Sequence, residues 1–173
     1  MQNLLFFNSR KTFTVLGTAS LSLIIVALFF EYALLLKPCL LCYAQRFCVY
    51  LLLLLSLIAF LHKNQSLSFF RTYLGLSTAL ILSGMSLSVR QVYLQSLPVE
   101  LVPTCGPDID YLLETLPILE VFMLAIQGDG NCAEVLWSFL GLSIPGWLLV
   151  AFIFLFLYAI TSLYISKDLH SKT

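Results

Sequence analysis

Residues 38–61 read PCLLCYAQRFCVYLLLLLSLIAFL, and this stretch decides the fold. From Phe47 to Leu61 it is apolar apart from Ser56 and carries no charge. If the helix starts at Cys42 the run reaches about 20 residues, the length that crosses a bilayer. Lipid offers the backbone no hydrogen-bond partners, so a spanning segment of this kind must be a helix. Three further runs share this character: Phe13–Leu36, with Glu31 near its far end; Thr72 to about Tyr93, interrupted by Arg90; and Trp147–Ile165. The chain has 173 residues, 60% of them hydrophobic and 10% charged, more apolar surface than a soluble domain of this size could hide. The net charge of zero gives no footprint for nucleic acid. The reading is an all-α membrane protein: a four-transmembrane-helix bundle forming a single domain over 1–173, with helices at about 13–36, 42–61, 72–93 and 147–165. The first span is expected to be retained, because a cleaved signal core is shorter and ends in small residues.

Charge sets the expected orientation. Arg10 and Lys11, then His62, Lys63 and Arg71, then Lys167, His170 and Lys172 fall on one side, which the positive-inside rule makes the cytoplasm. Both termini are therefore expected to be cytoplasmic. The loops at about 37–45 and 94–146 face outward. The second is long and carries Glu100, Asp108, Asp110, Glu114, Glu120, Asp129 and Glu134 with no Lys or Arg.

This topology places Cys39, Cys42, Cys105 and Cys132 in the compartment where disulfides persist, and leaves Cys48 inside a span as a small apolar packing residue. Cys39-Leu40-Leu41-Cys42 keeps a second thiol within reach of the first, which suits a redox pair. A structural disulfide has the same spacing. Zinc is disfavoured, since it would need all four cysteines and neither His is on the outer side. Pro38 suits the first turn of a helix. Cys42 would then lie near a positive helix end, with Arg46 four residues on, and both favour thiolate over thiol. Cys105, in Pro-Thr-Cys-Gly-Pro, sits where neither helix nor strand is expected. Cys132 follows Gly-Asp-Gly-Asn and opens Ala-Glu-Val-Leu-Trp-Ser-Phe-Leu, which reads as a short helix. Spacing alone leaves this pair equally open to a bracing disulfide and to an exchanging one. Four cysteines allow three connectivities. Between them, Ile109–Gln127 is apolar, broken at Pro117, and reads as an amphipathic surface segment or as a helix packed on the outer end of the bundle.

Thiol exchange moves a disulfide but cannot create one, so net oxidation needs an acceptor. His62 and His170 lie on the wrong side for haem, and no dinucleotide fingerprint is present. A small, lipid-soluble acceptor such as a quinone fits.

Taken together, Pro38-Cys39-Leu40-Leu41-Cys42-Tyr43-Ala44-Gln45-Arg46, Arg90-Gln91-Val92-Tyr93-Leu94-Gln95, Pro103-Thr104-Cys105-Gly106-Pro107 and the run from Gly128 through Cys132 to Trp147 resemble the disulfide bond formation protein B (DsbB) family of bacterial inner membranes. A DsbA–DsbB–quinone route keeps the bacterial periplasm oxidising. The resemblance implies an enzyme that re-oxidises a periplasmic DsbA-like thiol oxidase and passes electrons to ubiquinone or menaquinone. It implies that Cys105 is attacked by the partner, and that its mate Cys132 exchanges with Cys39. Cys42 then faces the quinone with Arg46 stabilising its charge. Some family members carry a His near the outer end of the third span, where this chain has Gln91. Gln91 and Arg90 are candidate quinone contacts, Arg90 equally an interfacial anchor. A DsbI-type relative serving a dedicated partner, or a non-catalytic four-span protein braced by outer disulfides, are the alternatives. A vitamin K epoxide reductase type of enzyme would place its C-x-x-C after the loop pair, the reverse of the order here.

Overall fold

A computed structural model describes residues 2–62, 66–104, 106 and 109–171. Cys105 lies outside the described residues, as do Lys63, Asp108 and Lys172 of the charge pattern. Six α-helices are described: α1 (Gln2–Tyr32), α2 (Leu40–Leu61), α3 (Leu67–Ser96), α4 (Ile109–Thr115), α5 (Ile118–Gln127) and α6 (Ile144–Ser171). Four contain segments long and apolar enough to cross a membrane: Arg10–Tyr32, Leu40–Leu61, Leu67–Ser96 and Ile144–Ile165.

Helix α1 stops at Tyr32, short of the expected Leu36. The chain must turn back there to start α2, and Leu35 takes a left-handed conformation (φ 54°) to do so. Helix α3 is longer than its apolar run at both ends; at its start Ser66 caps it by accepting from the Phe69 N–H at 3.5 Å. The stretch after Cys132 is not the expected helix. Residues 134–137 form no regular element and lead into a two-stranded hairpin, β1 (Ser138–Phe139) and β2 (Leu142–Ser143). Its turn puts Leu140 (φ 51°) and Gly141 (φ 80°) both in the left-handed region, the geometry of a tight two-residue hairpin turn, which no helix can contain.

Helix α1 packs on α2, α2 on α3, and α3 on α6. Their shared core includes Phe13, Leu16, Leu52, Leu74, Ile81 and Phe152. Small polar residues let the helices approach closely. Ser20, Ser56 and Ser88 are buried, and each satisfies its hydroxyl on the carbonyl four residues earlier, at 2.8, 2.7 and 2.9 Å. Pro117 divides α4 from α5. Val121 and Ala125 of α5 and Leu112 of α4 bury against Leu40 at the start of α2, while Ile118, Leu119 and Met123 stay exposed. The segment between the loop cysteines therefore rests on the end of the bundle.

Gly84 is where α3 meets Phe152 of α6: a Cβ there would lie 2.4 Å from the ring. Gly84→Ala should cost about 1–3 kcal/mol through overpacking. Gly75→Ala, where a Cβ meets nothing within 4 Å, should cost none. Thermal unfolding of the two variants in detergent checks the contrast.

Candidate active site

Helix α2 begins with Cys39 as its N-cap residue, so Cys42 occupies the third helical position, in the first turn. The turn needs no side-chain cap there, and its free N–H groups give the thiol a positive setting. The two sulfurs lie 3.0 Å apart.

Gln91 of α3 holds both. Its Nε2 donates to Cys39 Sγ and to Cys42 Sγ, each at 3.2 Å. Its Oε1 accepts from Gln45 Nε2 at 2.9 Å. Gln45 and Gln91 are 2% and 3% exposed, so the amide of Gln91 has little freedom to turn. Gln45 sits one turn beyond Cys42 on the same face, and it orients Gln91 so that the NH2 group meets sulfur.

Cys132 reaches the same place from the loop. Arg90 donates from Nε to the carbonyls of Ile126 and Gln127, both at 3.0 Å, and from Nη2 to Gln127 at 2.7 Å, satisfying the end of α5. Gly128 follows with φ 72°, in a space where a Cβ would come within 2.7 Å of Leu41 and Leu94. The chain then folds into a 3-10 turn, Gly130–Cys132, that buries Cys132 completely against Leu41 and Leu94, with Cys39 packed beside it. The contact with Cys132, then that with Cys42 and burial, push the Cys39 thiol far above the ordinary thiol range.

Cys39 and Cys42 line a cleft with about 870 Å³ of empty space, including its open mouth, while Cys132 lies buried outside its lining. Leu23, Ile24, Ala27, Phe30, Val49 and Leu148 give it apolar walls, and its polar groups include Glu31, Lys37, Arg46, Gln91, Gln95 and Glu134. Arg46 pairs with Glu31 of α1, donates from Nη2 to the Ala27 carbonyl at 3.4 Å, and lies 5.8 Å from the centre of the Tyr43 ring. The hairpin forms part of the rim. Trp137 packs on Phe30 with ring centres 5.0 Å apart, Trp147 Nε1 donates to the Phe139 carbonyl at 3.1 Å, and Ser143 Oγ donates to Gln95 Oε1 at 2.6 Å.

The structure thus brings together Cys39, Cys42, Cys132, Arg46 and Gln91. Arg90 is not among the residues lining the cleft; it anchors α5. Cys48 does not line the cleft either. Gln45 and Glu31 were not singled out as site residues from the sequence. The available signal was their polarity inside apolar spans, since such residues face a bundle interior or a cavity and find a partner there.

Residues 9–162 match the family described as Disulfide bond formation protein DsbB. Similar proteins named Disulfide bond formation protein B include one from Marinobacter nauticus, 45% identical over 144 residues covering 83% of this chain and 85% of that protein. One from Hahella chejuensis is 49% identical over 129 residues, 73% of this chain and 76% of its own. One from Saccharophagus degradans is 43% identical over 144 residues, covering 83% and 86%.

If Gln45 acts through Gln91, their substitutions will not add. Gln91→Leu should slow oxidation of the Cys39–Cys42 dithiol roughly tenfold, the worth of a hydrogen bond or two. Gln45→Leu should slow it less, and the double variant no more than Gln91→Leu alone. Stopped-flow oxidation rates of the four proteins test this.

Proposed function

The chain belongs to the DsbB family, four-helix membrane proteins of disulfide bond formation, and from that premise we propose that it re-oxidises a soluble DsbA-like dithiol oxidase and passes the electrons to a membrane quinone. It does so in the bacterial inner membrane, with both termini cytoplasmic and the active cysteines facing the periplasm; the lack of Lys and Arg over 94–146, against basic residues near both chain ends and around the α2–α3 connection, supports this orientation. The observation that carries the reading is the Cys39–Cys42 pair at the mouth of an apolar cleft with Cys132 packed against Cys39.

The partner's thiolate attacks Cys105, and Cys132 leaves as the released sulfur. Cys132 then attacks Cys39, and the electron pair of the Cys39–Cys42 bond leaves on Cys42, the sulfur one turn into α2. Gln91 donates to both sulfurs and stabilises whichever carries charge. The partner's second thiol then displaces Cys105, and Cys105 attacks Cys132 to free Cys39, so that Cys39 and Cys42 are the two ends of the dithiol that closes again. The cleft suits a quinone, with apolar walls for a ring and tail and with Arg46 and Gln95 as donors for ring oxygens beside the Gln91 that holds the two sulfurs. A bound quinone would supply the acceptor for two electrons and two protons. Arg46, fixed by Glu31, would present its charge to Cys42 and to the ring end of the cleft.

Anaerobic quinone reduction by the purified protein, supplied with a reduced thioredoxin-fold partner, is the test. Cys42→Ser should abolish it. Arg46→Gln should lower it about ten- to a hundredfold, the range for a hydrogen bond to a charged group, while thiol exchange at Cys105 proceeds at its normal rate. Unchanged quinone reduction in Cys42→Ser, or none by the intact folded protein with ubiquinone or menaquinone, would overturn the reading. In the second case the outer disulfides would merely brace the loop.

A further inference from the structure

The exchange sequence requires Cys105 to come back. Once the partner's second thiol has displaced it, Cys105 must find Cys132, which is then bonded to Cys39. At that moment no S–S bond joins the two loop cysteines, and the chain between them runs through α4 and α5. Packing does little to fix the segment leading to Cys105, since Leu101, Pro103 and Thr104 are exposed. Cys105 lies outside the described residues, but Thr104 and Gly106 on either side of it are described, and both are hydrogen-bonded to residues 129–131, next to Cys132.

That turn is itself anchored. Gly130 and Cys132 are buried, Cys132 against Leu41 of α2 and Leu94 of α3. From the turn, the Gly130 N–H donates to the Thr104 carbonyl at 3.2 Å. Asn131 Nδ2 donates to the Gly106 carbonyl at 3.1 Å and to Asp129 Oδ2 at 2.9 Å. The same Oδ2 accepts from the Gly106 N–H at 3.3 Å. The two side chains therefore bind both backbone groups of Gly106. A Cβ on Gly106 would stand 2.8 Å from Oδ2, so the backbone beside Cys105 approaches the carboxylate as closely as only glycine allows.

We propose that Asp129 and Asn131 are positioning residues that clasp the backbone beside Cys105 to the Cys132 turn whether or not an S–S bond joins the two sulfurs, so that Cys105 returns to Cys132 and closes the loop disulfide. The proposal rests on the proposed function. In the returning step the Cys105 thiolate attacks Cys132. The Cys105–Cys132 bond forms, the Cys132–Cys39 bond breaks, and the electron pair leaves on Cys39. One thiolate is consumed and one released, so no outside oxidant or reductant is needed. Holding the segment in place beforehand raises the effective concentration of one sulfur at the other. The S–S bond then does not face the entropy of closing the loop alone, and the clasp makes the loop disulfide harder to reduce.

The test is redox equilibration of the full chain in detergent with mixtures of reduced and oxidised glutathione, without quinone or partner. Samples are quenched in acid and alkylated, and peptide mass spectrometry quantifies the Cys105–Cys132 and Cys39–Cys42 linkages separately. Asn131 is changed in place of Asp129, because Asp129 also accepts from the Cys132 thiol at 3.1 Å and its loss would act on that sulfur directly. Asn131→Ala removes two hydrogen bonds and should lower the equilibrium constant for the Cys105–Cys132 bond about tenfold. It should leave that of Cys39–Cys42 within about twofold. Gly106→Ala displaces the carboxylate and should lower the loop constant too. The double variant should lose less than the product of the two effects, since the bonds form one network. Mixed with reduced thioredoxin-fold partner, Asn131→Ala should hold the Cys39–Cys132 linkage about tenfold longer than wild type. A Cys105–Cys132 constant within about twofold of wild type in both variants would overturn the proposal. So would an equal shift of both pairs, which would mark a general loosening of the fold, or clearance of the Cys39–Cys132 linkage at the wild-type rate. The equilibrium needs no acceptor. If the wild-type protein reduces no quinone while Asn131→Ala weakens the loop disulfide alone, the acceptor assignment fails and the clasp stands. Wild-type quinone turnover with an unshifted loop constant sinks the clasp alone.

Discussion

The arrangement depends on one buried amide. A primary amide inside an apolar span must find partners for its donors and its acceptor, because lipid supplies none. Gln91 finds its acceptor's partner in Gln45 and its donors' partners in two sulfurs, so satisfying its polarity and positioning the redox pair are the same act. The pairing also sets the register of α2 against α3, since a one-residue shift of either helix would turn one of the amides away from the other.

The rest of the site is laid over that end of the bundle. Arg90 secures the last carbonyls of α5, Gly128 turns the chain through a space that admits no side chain, and Cys132 drops between Leu41 and Leu94. On the other side, Ser143 bonded to Gln95 and Trp137 packed on Phe30 bring the hairpin to the rim of the cleft. The long loop is thus part of the active site's wall, and its folding cannot be separated from that of the helices beneath it.

Two of the charges lining the cleft pair with each other. Arg46 binds Glu31 across α1 and α2, so the guanidinium is both fixed and partly balanced. Removing either partner would leave the other exposed to a medium that solvates charge poorly, which costs more than the pair itself contributes. A cation held in this way can respond to charge developing at a neighbouring sulfur without having to reorient first.

Four apolar runs, a C-x-x-C at the head of one of them, and basic residues clustered in three segments were enough to read a four-helix membrane protein with a thiol pair at a helix start. Those features are local: hydropathy along the chain, residue spacing and the satisfaction of backbone groups in lipid all follow from the order of residues. Cys39, Cys42, Cys132 and Arg46 could be singled out for the same reason, each marked by chemistry out of keeping with its surroundings, whereas Gln91 was suggested only by the family resemblance. What the order of residues did not contain was distance between segments. That Gln45 orients Gln91, that Glu31 meets Arg46 and that Arg90 serves α5 in place of the cleft are contacts across 46, 15 and 37 positions of chain. The segment after Cys132 forms a hairpin because the Leu140–Gly141 turn and the Trp137–Phe30 contact outweigh helical preference. Only packing four helices against one another, and laying the loop across their ends, decided which polar groups would share a site.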